Sequence, residues 1–231
     1  MSSLETIAFD ADDTLWHTEN HFQATQVRLS EILDAYAPHD EVQTRLHGVE
    51  ERNVKLFGYG VKGFTLSMIE AAIEISDQRI SAADIHEIAM MGKAMLDRPM
   101  ELLPDVEAVL ADLGRSHRLI MITKGDVMDQ QNKISQSGLA HYFEAIEIVA
   151  LKDTATYDAL FARFGLQPGQ TLMVGNSIPS DVTPILELGG YGVHVPYHVT
   201  ASFERHQAEP NHSRYRRIER IGSLPDLVAN L

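Results

Sequence analysis

The sequence predicts an α/β fold on a mainly parallel sheet, with an all-helical segment inserted after the first strand. Three observations predict it. A short apolar run, Leu4 to Phe9, ends at Asp10; four stretches of helical periodicity follow between about residues 21 and 96; and beyond Pro99 strand-like and helix-like segments alternate.

The first run carries Ile7, Ala8 and Phe9 in succession, as expected of a strand buried on both faces. In the insertion, Val27, Leu29, Ile32 and Leu33 lie at helical spacing and Pro38 closes that segment. Val42, Leu46, Val49 and Val54 mark a second helix. Phe64, Met68, Ile69, Ala72, Ile73 and Ile75 mark a third, and Ile85, Ile88, Ala89, Met91 and Met95 a fourth, with Ser81 and Asp84 as its start signal. After Pro99 the expected order is a helix at Asp105–Leu113, a strand at Leu119–Thr123 and a helix at Val127–Ser137 ending at Gly138. A strand at Ala145–Ala150 and a helix at Thr156–Phe164 come next, then a strand at Thr171–Val174, a helix at Pro179–Leu188 and a strand at Gly192–Val195. The polar, His-rich stretch Tyr197–Ser213 reads as a long surface loop.

Composition narrows the function. The 231 residues carry a formal net charge of −14, and no Lys/Arg cluster suggests a nucleic-acid face. Arg214, Arg216, Arg217 and Arg220, mixed with Glu219, read as solvated surface. With no cysteine, disulfides, thiolate zinc sites and cysteine nucleophiles are excluded. The 11 histidines show no metal-ligand spacing. Neither a signal peptide nor a membrane-spanning run is expected, so the cytoplasm is the default location.

In an open parallel sheet, ligands bind beyond the carboxyl ends of the strands. Four such ends carry polar residues here: Asp10, Asp12 and Asp13; Thr123, Lys124, Gly125 and Asp126; Lys152 and Asp153; and Gly175, Asn176 and Ser177 with Asp181. Phosphoryl transfer calls for this mixture. A carboxylate attacks phosphorus, a second carboxylate moves the proton, and a cation, a hydroxyl and backbone N–H groups meet the charge on the equatorial oxygens. Magnesium takes oxygen ligands, usually one or two carboxylates with water and phosphate.

The segment Asp10-Ala11-Asp12-Asp13-Thr14-Leu15 resembles the D-x-D-x-T signature of the haloacid dehalogenase (HAD) superfamily. Thr123, Lys152 and Gly175-Asn176-Ser177 with Asp181 resemble its second, third and fourth motifs, over nearly the whole chain. Thr123-Lys124-Gly125 with Gln130, Lys133 and Gly138-Leu139 resembles the capped phosphatase branch. The resemblance implies a Rossmann-like core of residues 1–16 and 99–231 and a helical cap over 17–98. It implies Asp10 as nucleophile and metal ligand, Asp12 as general acid/base with its carbonyl on the metal, and Thr123 as a donor to the phosphoryl group. Lys152 would neutralise Asp10, and Asp181 and Asn176 would complete a Mg2+ site.

The substrate would be a small phosphorylated metabolite, met by Thr123, Lys124, Gly125 and Lys62. Lys62 sits in the glycine-rich stretch Gly58–Gly63, which reads either as a loop over the site or as a plain helix–helix turn. Trp16 and His17 read either as substrate neighbours or as packing at the domain junction. The family's fourth motif usually begins with aspartate where this chain has Asn176, and its third-motif lysine is often followed by proline where this chain has Asp153. The expected activity is a magnesium-dependent phosphatase. A phosphosugar mutase or a 2-haloacid dehalogenase on the same scaffold, or a non-catalytic phosphometabolite-binding protein, are the alternatives; the acid at Asp12 speaks against a dehalogenase.

Overall fold

The computed structural model describes residues 4–199 and 208–231. Among the described residues the sheet has six strands. They are β1 (Thr6–Phe9), β2 (Arg118–Lys124), β3 (Ala145–Val149), β4 (Thr171–Gly175), β5 (Tyr191–His194) and β6 (Tyr215–Arg217), in the order β3-β2-β1-β4-β5-β6. Every pairing is parallel. The chain steps one way from β1 to β3, then returns past β1 to add β4, β5 and β6. The gap between β1 and β4 is therefore the topological switch point, where a doubly wound sheet binds its ligand.

Side-chain alternation divides the sheet's two cores. Ile7 and Phe9, Leu119 and Met121, and Leu172 and Val174 face one side. There they pack with Val106, Val109, Leu110 and Leu113 of α5 (Val106–Leu113) and Ile134 of α6 (Val127–Ser137). Ala8, Ile120, Ile122 and Met173 face the other side with Tyr157, Leu160 and Phe161 of α7 (Thr154–Phe164) and Ile185 of α8 (Thr183–Glu187). β1 and β4 are buried along their whole length, as expected of central parallel strands. Each such large side chain taken fully out of water contributes about 1.5–3 kcal/mol.

The described chain falls into two compact units. Among the described residues, one comprises 4–17, 100–124, 130–199 and 208–231, and the other 18–99 and 125–129. The second is helical: α1 (Glu19–Ile32), α2 (His39–Phe57), α3 (Val61–Ile75) and α4 (Ala82–Leu96) pack around Leu29, Leu33, Val42, Leu46, Val49, Phe64, Met68 and Ile88. Ser81 caps α4, its hydroxyl accepting the Asp84 N–H at 3.1 Å.

Two regions depart from the sequence expectation. The segment expected as one helix, Pro179–Leu188, is a wide π-type turn at Ile178–Val182 followed by the short α8. Pro184 has no N–H to give, and the turn puts Asp181 back under β4. The arginine-rich segment read as plain surface forms β6, an edge strand whose charged residues suit an unpaired edge. A final helix, α9 (Leu224–Ala229), follows it. Part of the expected His-rich loop, residues 200–207, lies outside the described residues. No helix among the described residues is long and apolar enough to cross a membrane.

Candidate active site

The loop after β1 is wound tightly enough to bring Asp10 and Thr14 together. Asp10 N–H extends the β1–β4 ladder to Val174 O at 2.9 Å, and Leu15 N–H turns back to Ala11 O at 2.8 Å. Asp13 takes a left-handed φ of 61°, a conformation that aspartate tolerates better than most residues. Thr14 then donates its hydroxyl to Asp10 Oδ2 at 2.8 Å and accepts the Asn176 N–H at 3.1 Å, joining the ends of β1 and β4. The Asn176 Oδ1 lies 3.5 Å from the same hydroxyl.

Lys152 stands at the centre. Its ammonium donates to Asp10 Oδ1 and, at 2.7 Å, to Asp181 Oδ1. All three side chains are buried. Burial by itself pulls the lysine down, but Asp10 and Asp181 outweigh it and hold the ammonium above its ordinary value. One cation faces two carboxylates, so the second carboxylate is under-compensated. Burial pushes Asp181 up to about 7; Lys152 opposes that rise and Asp10 adds to it. Tyr157 fills the wall beside Lys152, its hydroxyl donating to Ser180 O at 3.1 Å, and burial pushes that phenol well above its ordinary value.

Local sequence explains how these groups reach one another. Asp153, where the family pattern often has proline, caps α7 by accepting the Thr156 N–H at 2.8 Å, and so anchors the turn that carries Lys152. Gly175 is needed at the end of β4 because a β-carbon there would overlap the Asp181 carboxylate. Asp181 also accepts the Ser177 N–H at 3.0 Å.

Asp12 lies in a separate and wetter environment. Its Oδ1 accepts the indole N–H of Trp16 at 2.7 Å, and Lys133 reaches both carboxylate oxygens at 3.1 Å. Gln130 donates to Oδ2 at 3.2 Å and also to the Thr123 hydroxyl. Trp16 is fully buried, so packing together with this hydrogen bond describes it. His17 faces Tyr197, with Nδ1 2.5 Å from the hydroxyl.

The structure thus gathers Asp10, Lys152, Asp181, Asn176 and Thr14 at one point, and links Thr123 to Asp12 through Gln130. Lys124 points instead to the Ser180 hydroxyl at 3.2 Å. Lys62 and Gly125 belong to the helical unit, where the Lys62 ammonium pairs with Asp126 at 2.9 Å. Sequence reasoning gave no site role to Thr14, Gln130 or Lys133, and it left Trp16 open between substrate neighbour and packing. Thr14 stands in the first motif, and Gln130 and Lys133 share a helix face, but nothing in their spacing says that the face meets Asp12.

Among the described residues no three His, Asp or Glu side chains group to hold a cation. The donors gathered around Lys152 and Thr14 are two carboxylates and the amide oxygen of Asn176, all hard oxygen atoms. That set fits a divalent cation such as magnesium, which needs only one or two carboxylates.

The aspartate loop ends β1 at the switch point, where a doubly wound sheet binds its ligand. The family description "haloacid dehalogenase-like hydrolase" matches residues 4–189, and the chain belongs to that family. It is 26% identical over 209 residues to N-acylneuraminate-9-phosphatase of Rattus norvegicus, covering 82% of this chain and 81% of that one. It is 24% identical over 238 residues to glyceraldehyde 3-phosphate phosphatase of Methanothermobacter thermautotrophicus, covering 97% and 100%. A solved haloacid dehalogenase-like family hydrolase from Xanthomonas campestris superposes with a TM-score of 0.89 at 38% identity, covering 99% of this chain and 91% of that one. A 2-haloacid dehalogenase from Pseudomonas syringae shares the fold, with a TM-score of 0.65 at 16% identity.

Proposed function

We propose that this protein is a magnesium-dependent phosphatase that hydrolyses a small phosphomonoester through an aspartyl-phosphate intermediate. The observation that carries the reading is the buried Lys152 between Asp10 and Asp181 at the switch point, with Asp12 two residues beyond Asp10. The phosphatase names of the curated relatives support the reaction class. By name the relatives act on the 9-phosphate of an N-acylneuraminate and on glyceraldehyde 3-phosphate, and phosphates of small sugar-like metabolites are the first class to test here.

Asp10 is the nucleophile. Lys152 holds it in line and offsets the negative charge that would otherwise repel a phosphate dianion. The Thr123 hydroxyl, accepting from Gln130, keeps its own hydrogen for a phosphoryl oxygen. Lys124 and the Gly125 N–H extend that contact. Asp12 gives a proton to the leaving alcohol, then takes one from the water that releases phosphate. Asp10, Asp181, Asn176 and the Asp12 carbonyl would hold magnesium, which when bound supplies positive charge to the phosphoryl oxygens. Asn176 contributes an oxygen without a charge, so metal affinity is expected to be modest.

The division into a core of 1–16 and 99–231 and a cap over 17–98, with Lys62 meeting the substrate's anionic part, belongs to the same proposal. It rests on the position of the helical insertion between the first and second motifs.

The test is phosphate release from an aryl phosphate and from a panel of sugar and polyol phosphates, with magnesium and with a chelator. Activity is expected only with magnesium. Asp10→Asn should abolish it with the thermal midpoint preserved; retained turnover in that variant would remove Asp10 from its role.

A further inference from the structure

The Asp12 carboxylate is gripped by side chains to which the motif pattern gives no function. Gln130 and Lys133 lie three residues apart on α6 and so share a helix face. Lys133 reaches Oδ1 and Oδ2 at the same 3.1 Å, and its side chain is only 15% exposed. A lysine bound for solvent would not fold its long chain into that position. Gln130 is buried, and its amide nitrogen serves Asp12 Oδ2, the Thr123 hydroxyl and Lys124 O. Its Oε1 has no hydrogen-bond partner among the described residues. A buried amide that leaves its own oxygen unsatisfied is oriented for the sake of what its nitrogen holds.

We propose that Lys133, with Gln130 beside it, is a positioning residue for proton transfer by Asp12. The inference rests on the phosphatase reading of this site. In the first half-reaction an Asp10 oxygen bonds to phosphorus and the phosphorus–oxygen bond to the alcohol breaks. The electron pair stays on the alcohol oxygen, and the proton of Asp12 converts it to neutral alcohol. Negative charge then appears on Asp12, where Lys133, Gln130 and the Trp16 indole already point. In the second half, water gives its proton to the Asp12 carboxylate while its oxygen bonds to phosphorus, and the bond to Asp10 breaks. Lys133 touches no reacting atom; it fixes the group that moves the proton and meets the charge left on it.

The dependence on leaving group separates this role from a merely structural one. An alkyl alcohol needs a proton in order to leave, whereas nitrophenolate does not. The experiment compares kcat/KM for glycerol phosphate and p-nitrophenyl phosphate, with magnesium, in the wild type, Lys133→Met, Lys133→Arg and Gln130→Met. This ratio covers the steps through the first phosphoryl transfer. Lys133→Met should lower the aryl value several-fold and the alkyl value roughly 100-fold, within the range that general acid catalysis supplies. Lys133→Arg should recover most of the alkyl loss, and Gln130→Met should show a smaller loss with the same alkyl bias. Should Lys133→Met fail to fold, Lys133→Gln carries the same comparison. Equal losses on both substrates would overturn the inference while leaving the phosphatase reading intact. Wild-type turnover of the aryl ester alone, across a panel of alkyl phosphates, would also overturn it, since no leaving-group proton would then be assisted. Wild-type turnover of neither substrate would overturn the phosphatase reading and the inference with it.

Discussion

Lys152 and Lys133 each face a carboxylate of the same short loop, yet one pair is dry and the other is partly wet. Lys152 and its partners Asp10 and Asp181 have side chains at most 9% exposed, whereas Lys133 and Asp12 are 15% and 26% exposed. In the dry site one ammonium is shared between two carboxylates, and burial, with Asp10 adding to it and Lys152 opposing it, raises Asp181 to about 7. At Asp12 an indole, an amide and an ammonium share one carboxylate. The two environments suit different work. A nucleophile is best held fixed and without water, while a residue that gives and takes a proton needs contact with the leaving group and with water. A third pair, Lys62 and Asp126 in the helical unit, is more open still at 49% and 29% exposure.

Removing the cation from the dry site should have the largest effect. Lys152→Met leaves two buried carboxylates unbalanced, and stability should fall by about 3 kcal/mol. Turnover should fall at least about 100-fold, as when a charge-stabilising donor is lost. Thermal denaturation and phosphate release read the two effects separately. If stability held unchanged, Asp181 would have to be neutral already and the dry site would not be charged in the way described.

Glu50 sharpens the comparison, because it is a carboxylate in α2 that burial alone pushes up to about 7. A folded-state value above the unfolded one means that the folded protein binds the proton more tightly. Stability from this group is therefore fully present below about pH 4.5 and is lost as pH rises through about 7. Glu50→Gln should raise the thermal midpoint at pH 8 by the equivalent of about 1–2 kcal/mol and leave it nearly unchanged at pH 4.5. An equal shift at both pH values would contradict the buried-carboxylate explanation.

The smallest effect belongs to the exposed pair. Lys62 holds the Asp126 carboxyl below its ordinary range through their hydrogen bond. Lys62→Met should still change stability by only about 0.5 kcal/mol, since solvent and salt screen such pairs. A loss as large as that of Lys152→Met would break the ordering by burial.

Much of the α/β core was legible because its signals are local. Ile7 to Phe9 reads as a doubly buried strand, and Gly138 and Gly165 end helices where the backbone turns left-handed. The joint order of Asp10, Thr123, Lys152 and Asp181 along the chain pointed to one site. Long-range pairing was not legible. β6 is a strand only because Tyr215–Arg217 lies beside β5, and nothing in its own composition announces that. The split between the π-type turn and α8 depends on Asp181 folding back against Gly175. The grip of Gln130 and Lys133 on Asp12 spans more than a hundred residues, so their spacing marked a helix face without saying what it faced.

The central claim is that Asp10 carries the phosphoryl group. Its most direct test is rapid acid quench of the enzyme during turnover of a phosphomonoester with magnesium, followed by mass spectrometry of the peptide containing Asp10. The expected result is a peptide heavier by one phosphoryl group in the wild type and unmodified in Asp10→Asn. Turnover with no adduct at Asp10 at any quench time, or an adduct on a different residue, would contradict the account.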